Sequence, residues 1–319
     1  CENRSIKRAG IYKMMSNQVV ITDVGPRDGL QNQPKILSIE QRVELIRAIA
    51  AAGVPQIEVG SFVSPRAVPA MAGTDRVFAA LDANVTYKTP SIALIPNLKG
   101  YELARDAGAK AVTMVLYASD GMAQKNAAMS MTDAEDITMK ILRLAKQDEI
   151  EVIATIAVAF ACPFDGPSDP LLVQRIASKF IDAGADQLVL ADTIGSSDPQ
   201  QVRVLTEALV KSHGATQLGC HFHDTRAMGL ANVYAAVESG IRRFDSSIAG
   251  LGGCPFAPGA TGNVATDDVA MMLQQMGFET GIDLRKLMEA SNLAETLTGT
   301  APGGRSKVWL QGHLAKQAS

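Results

Sequence analysis

Asp182-Ala-Gly184-Ala, set just before the apolar run Gln187–Leu190, has three counterparts: Ala51-Ala-Gly53-Val, Asp106-Ala-Gly108-Ala and Glu238-Ser-Gly240-Ile. Each reads as the end of a helix leading into a strand, because glycine takes the left-handed cap at low cost. The four glycines lie 55, 76 and 56 residues apart. A strand–helix unit of a (β/α)8 barrel takes about 31 residues, so each interval holds about two units. With one unit before Gly53 and one after Gly240, the count is eight. The short runs around these glycines agree: Val19–Val24, Gln56–Val59, Ser91–Ile95, Ala111–Tyr117, Val152–Ala159, Gln187–Leu190, Gln217–Cys220 and Phe244–Ile248. They are rich in Val, Ile and Ala and mostly do not alternate, as strands buried on both faces should. Between them, helical patterns run over Ser38–Ala52, Met131–Gln147, Asp169–Ala183, Asp198–Ser212 and Ala227–Ser239. Ser38 with Gln41 three residues on has the spacing of a capping box.

A doubly wound sheet is the competing fold. It would have five or six strands and a glycine-rich phosphate turn after the first. Here the first strand leads into Gly25-Pro-Arg-Asp-Gly29, which is no such turn. The expectation is an α/β fold, a single TIM barrel over residues 15–319. A helical cap is appended from about Asp283, and residues 1–14 form an N-terminal extension, with Met14-Met15 reading as a natural start.

Composition narrows the function. The chain has 319 residues, 47% hydrophobic and 20% charged, with a formal net charge of −3. That excludes a disordered chain and gives no basic excess for nucleic acid. No apolar run approaches the roughly 20 residues that cross a bilayer. Residues 1–13 have no apolar core region, so no secretory signal is read there. Cys1, Cys162, Cys220 and Cys254 are far apart and suggest no disulfide framework.

In such barrels chemistry gathers at the C-terminal ends of the strands. The polar residues there are Arg27 and Asp28, Glu58, Asn97, Asp192, and His221 with His223. A loop, Gly250-Leu-Gly-Gly-Cys254-Pro, then runs on to Gly262-Asn263. Period-two spacing puts both imidazoles of His221-Phe-His223 on one face. They are either two hydrogen-bonded histidines at the barrel mouth or two nitrogen ligands, with Asp28 as an oxygen ligand opposite. Arg27 is either an ion-pair partner of Asp28 or a set of fixed donors for a developing oxyanion. Cys254 is either an inert small residue or a thiol that moves protons from a mobile loop. Cys162 and Cys220 read as packing groups. His213 reads as exposed and His313 as part of a basic tail.

Several ordered motifs then point one way. Asp23-Val-Gly-Pro-Arg-Asp-Gly-Leu-Gln-Asn32, Glu58 followed by Ser61-Phe-Val-Ser-Pro65, and Pro96-Asn-Leu-Lys-Gly100 lie in the first half. Asp192-Thr-Ile-Gly195, His221-Phe-His-Asp224, Gly250-Leu-Gly-Gly-Cys-Pro255 and Gly262-Asn263 lie in the second. From about Val19 to about Asn292 the sequence resembles the 3-hydroxy-3-methylglutaryl-CoA (HMG-CoA) lyase family. The resemblance implies a TIM barrel, a divalent cation (Mg2+ or Mn2+), and cleavage of an acyl-CoA into acetoacetate and acetyl-CoA, as in leucine degradation. It implies metal ligands at Asp28, His221, His223 and Asn263, Arg27 on the enolate oxygen, Glu58 in the active site and Cys254 in a mobile catalytic loop. It also implies a homodimer, in the cytoplasm of a bacterium or the mitochondrial matrix of a eukaryote. The chain departs from the family pattern with Asp267 in place of Glu. It also has Phe222 between the histidines, expected to point away from the lumen. The Gly/Pro-rich stretch Thr298–Lys307 has no clear match.

A retro-aldol cleavage fits these residues. His221, or else Asp28, takes the proton of the tertiary hydroxyl. Arg27 meets the charge on the thioester oxygen, and Cys254 protonates the enolate carbon. Three alternatives remain. A condensing synthase of the same superfamily would continue its first motif with Glu, where this chain has Gly29-Leu-Gln. A lyase for a longer branched acyl-CoA would differ in its pocket lining. A non-catalytic ligand-sensing or scaffolding barrel would show a degraded site.

Overall fold

The computed structural model describes residues 17–253, 262–300 and 303–317. Among them, eight parallel strands close into a barrel. These are β1 (Val20–Asp23), β2 (Gln56–Ser61), β3 (Ser91–Leu94), β4 (Ala111–Tyr117), β5 (Glu151–Ala157), β6 (Gln187–Asp192), β7 (Leu218–Phe222) and β8 (Arg243–Ser246). Each strand pairs with its neighbour in sequence. The ring closes where Val20–Asp23 of β1 lies beside Arg243–Ser246 of β8. This is the barrel that the glycine spacing predicts. Gly53, Gly108, Gly184 and Gly240 all have positive φ, from 85° to 101°. At Gly53 a side chain is excluded twice over, since its Cβ would also lie 2.4 Å from the Gly281 carbonyl oxygen.

Helices surround the barrel: α1 (Ile39–Ala51), α2 (Thr74–Asp82), α3 (Leu98–Asp106), α4 (Asp120–Ala127), α5 (Met131–Asp148), α6 (Pro170–Asp182), α7 (Pro199–His213), α8 (Gly229–Glu238) and α9 (Thr266–Gln275). Their starts follow local chemistry. Ser38 and Gln41 form the capping box of α1. Asp169 and Asp198 cap α6 and α7, each of which begins with proline, a residue that forfeits no helical hydrogen bond there. The buried faces of the helices and the outward faces of the strands make one continuous apolar core. Two further helices follow, α10 (Leu284–Thr298) and α11 (Lys307–Gln317). The first packs along α1 and is capped by Asp283. No helix among the described residues is long and apolar enough to cross a membrane.

Between α10 and α11 the chain is held by backbone donors. Gly304 N–H donates to Asp267 (2.6 Å), and Arg305 and Ser306 N–H donate to Asp268 (2.9 and 2.8 Å). His213 is half-buried rather than exposed, because α6 brings Ser178 Oγ to 2.8 Å from its Nε2. Cys162 and Cys220 are free and buried, as packing groups should be.

Candidate metal centre

The ends of β1, β2, β7 and β8 build the site. After β1 the chain makes one π-helical turn, Gly25–Gly29, closed by Gly29 N–H to the Val24 carbonyl at 3.2 Å. The wide turn aims two consecutive side chains, Arg27 and Asp28, at the barrel mouth. It is anchored below by Asp23, fully buried, which accepts from Gly25 N–H (2.8 Å) and from the Thr266 hydroxyl (2.7 Å). Burial, only partly offset by these bonds, pushes the Asp23 carboxyl up to about 6.

His221 ends in the lumen from β7, and His223 follows two residues later with its ring centroid 5.2 Å away. Phe222 points the other way and packs on Phe160 at 6.3 Å, as the alternation requires. Asn263 arrives from a segment zipped along the ends of β7 and β8. Asp224 N–H donates to Gly262 O, Val264 N–H to Phe222 O, and Ser247 N–H to Val264 O. Its Nδ2 then donates to Asp28 at 2.7 Å.

Asp28, His221 and His223 each offer one ligand atom, all within 4.8 Å of one another. His223 Nε2 stands 4.0 Å from Asp28 Oδ2. His223 Nδ1 and Asn263 Oδ1 are buried with no hydrogen-bond partner, and such orphaned lone pairs are costly without an electrophile to receive them. Two imidazoles, a carboxylate and an amide oxygen form a mixed N/O set suited to a divalent cation. The residues therefore fit a metal ion.

Arg27 holds the carboxylates together. Its Nη1 donates to Asp28 Oδ1 at 2.7 Å and its Nε to Glu58 Oε2 at 2.6 Å. Burial alone would raise the Asp28 carboxyl. The Arg27 charge beside it, with those of the two histidines and the Asn263 hydrogen bond, holds it instead at about 2. Burial raises Glu58, and Arg27 only partly opposes this. Its Oε1 is buried without a partner while the residue faces the cavity. Burial would lower His221, yet the Asp245 carboxylate, 3.2 Å from its Nδ1, leaves it raised. His223, buried beside His221, is pushed down to about 4. These groups open onto a cavity of about 460 Å³ that runs into the barrel past Val115, Thr155 and Val189.

The structure brings Arg27, Asp28, Glu58, His221, His223 and Asn263 together. Cys254 lies outside the described residues, although Gly253 beside it lines the cavity. Asp192 does not join them. It pairs in register with Phe222, not His221, so it faces outward, where Ser196 N–H (2.8 Å) and the Ser197 hydroxyl (2.7 Å) donate to it. Asn97 caps α3 by accepting from Gly100 N–H. Asp245 is the residue missed. It lies within the last strand rather than after it, and its register partner is His221.

The described family model HMGL-like matches residues 18–294, the stretch over which the motifs run. The chain belongs to the HMGL-like family. Within that family it is 44% identical over 296 residues to the (R)-citramalyl-CoA lyase of Chloroflexus aurantiacus, covering 89% of this chain and 92% of that one. It is 39% identical to the hydroxymethylglutaryl-CoA lyase of Pseudomonas mevalonii, covering 94% and 99%. A solved HMG-CoA lyase from Acinetobacter baumannii, in complex with coenzyme A and 3-methylmalate, superposes with a TM-score of 0.86 at 36% identity, covering 91% and 94%.

Proposed function

We propose that this HMGL-like protein is a metal-dependent carbon–carbon lyase that cleaves HMG-CoA into acetoacetate and acetyl-CoA. The observation that carries this is the Asp28–His221–His223 cluster with the Arg27–Glu58 pair against it at one barrel mouth. Asp28, His221, His223 and Asn263 would hold a divalent cation, Mg2+ or Mn2+, which supplies Lewis acidity toward the substrate's hydroxyl and carboxylate.

The protein's own groups divide the remaining work. His221 takes the hydroxyl proton at Nε2, its Nδ1 being engaged by Asp245 at 3.2 Å, so in that step the cation would be held by Asp28, His223 and Asn263; Asp28 is the alternative base. Arg27, aimed by Glu58 and Asp28, donates to the thioester oxygen as charge grows there while the carbon–carbon bond breaks. Cys254 returns a proton to the released carbon, completing acetyl-CoA.

A second reading is cleavage of (R)-citramalyl-CoA to pyruvate and acetyl-CoA, favoured by the 44% identity to the Chloroflexus aurantiacus enzyme. The two substrates differ by one methylene in the acid arm. Pockets discriminate such a difference by only about 10- to 200-fold, so both thioesters are to be assayed side by side. With Mg2+ or Mn2+ the protein should release acetoacetate from HMG-CoA, and chelator should stop it. Faster release of pyruvate from citramalyl-CoA would make the second reading the main one. No cleavage of either refutes both. The resemblance also supports a homodimer, testable by sedimentation, with residues 15–319 as one domain and the helical cap from about 283. It further supports a place in leucine breakdown, in the cytoplasm of a bacterium or the mitochondrial matrix of a eukaryote.

A further inference from the structure

Arg42 is 1% exposed, and among the described residues no carboxylate pairs with it. Burial lowers its guanidinium to about 10, so it stays charged at neutral pH. A buried cation answered only by neutral oxygens and the Met71 sulfur is costly and calls for a reason. Its partners supply one. From the first turn of α1, Nη1 donates to the Ala72 carbonyl at 3.0 Å. Nη2 reaches the Val59 carbonyl and the Thr74 hydroxyl, both at 3.3 Å.

Val59 sits where β2 changes its pairing. The ladder with β1 ends at Asp23 and Ile57, because β1 turns away into the π-helical turn. On the other side the register with β3 slips between Glu58 and Gly60, leaving Val59 as the extra residue of a bulge. Such a bulge re-aims the side chains around it, and the side chain just before it is Glu58. Gly60 completes the arrangement. A Cβ there would lie 2.7 Å from Arg42 Nη2 and 2.6 Å from Thr74 Oγ1, so the guanidinium occupies the space that glycine leaves.

We propose that Arg42 is a positioning residue: it fills the space beside Gly60, fixes the Val59 bulge, and so sets the direction from which Glu58 grips Arg27. This deepens the proposed function, since it rests on Arg27 acting at the thioester oxygen. Asp28, His221 and Asn263 are held from β1, β7 and the 262–266 segment, so metal binding does not depend on the bulge.

Two variants, Arg42→Lys and Gly60→Ala, test this from opposite sides, one shortening the donor and the other displacing it. Crystal structures of both should show the 2.6 Å Glu58–Arg27 contact broken and the Asp28–Asn263 contact kept. With the thioester that the wild type cleaves, kcat should fall about 10- to 100-fold, as for a misplaced catalytic group. Calorimetric Mn2+ affinity should stay within about twofold, and adding Arg42→Lys to Glu58→Gln should cost no more than about a further twofold. The proposal is overturned if both variants keep Glu58 on Arg27, if Mn2+ affinity falls in step with kcat, or if the Arg42→Lys and Glu58→Gln losses multiply. If the wild type cleaves neither thioester, the functional reading fails, and the two crystal structures still decide the part played by Arg42.

Discussion

Replacing Asp23 by Asn should make the protein's stability less sensitive to pH between about 4 and 7, by an amount set by burial. Asp23 is fully buried and its carboxyl is raised from 3.8 to about 6. The folded state therefore binds a proton more tightly than the unfolded state does. Stability from this group is complete at low pH and is lost as pH rises from about 4 through about 6. At about 1.4 kcal/mol per tenfold, the full loss is about 3 kcal/mol, most of it falling between pH 4 and 7. Asparagine can keep the bonds to Gly25 and Thr266. Its amide oxygen can accept from Gly25 N–H, and its NH2 can donate to Thr266 Oγ1, which lies 2.8 Å from Ser246 Oγ and can turn its own hydrogen there. Urea unfolding of both proteins at pH 4, 5, 6 and 7 measures the difference. The variant should gain about 2–3 kcal/mol on the wild type across that range. A gap that stays flat with pH would show that Asp23 remains charged in the fold, and the argument from burial would be wrong.

Other perturbations separate the roles at the site. Arg27→Gln should lower kcat about 10²- to 10³-fold, the loss typical of one oxyanion donor, while a calorimetric Mn2+ titration at pH 8 still shows binding; loss of both together would place Arg27 in the metal site instead. Asp245→Asn should weaken Mn2+ affinity or kcat about 10- to 100-fold, as expected when the partner that orients a ligand histidine is changed; an unaltered enzyme would show that the 3.2 Å contact with His221 orients nothing. Cys254→Ser should lose most of kcat and keep its metal, and equal loss of metal binding would sink that division of roles.

The barrel was legible because its signals are local. A helix-ending glycine needs only its own positive φ, and Ser38 finds Gln41 three residues away. The site was legible where spacing alone decides direction, as for His221 and His223. It was misread where direction depends on a neighbouring strand. Asp192 and His221 both stand at strand ends, but the ladder pairs Asp192 with Phe222 and Ala191 with His221. One residue of register therefore separates a cavity-facing group from one that braces its own loop. Asp245 was hidden for the same reason, since its partner lies 24 residues earlier, across a ladder. Arg42 gave no signal at all. An arginine in the first turn of an amphipathic helix reads as solvated, and only the missing side chain at Gly60 admits it to the interior.

The proposed ligands also come from distant parts of the polypeptide. Asp28 and Asn263 are 235 residues apart in sequence and 2.7 Å apart in space, and they meet beside the seam where β1 joins β8. A ribosome that has released only the first seven strands has made Asp28, His221 and His223 but neither the closing strand nor Asn263. Tight cation capture would then have to wait until Asn263 has been made, and bound metal would act as a rivet across the seam. Cation affinity would thus report ring closure, and a nascent or clipped chain lacking β8 would forfeit that affinity before it lost most of its helices.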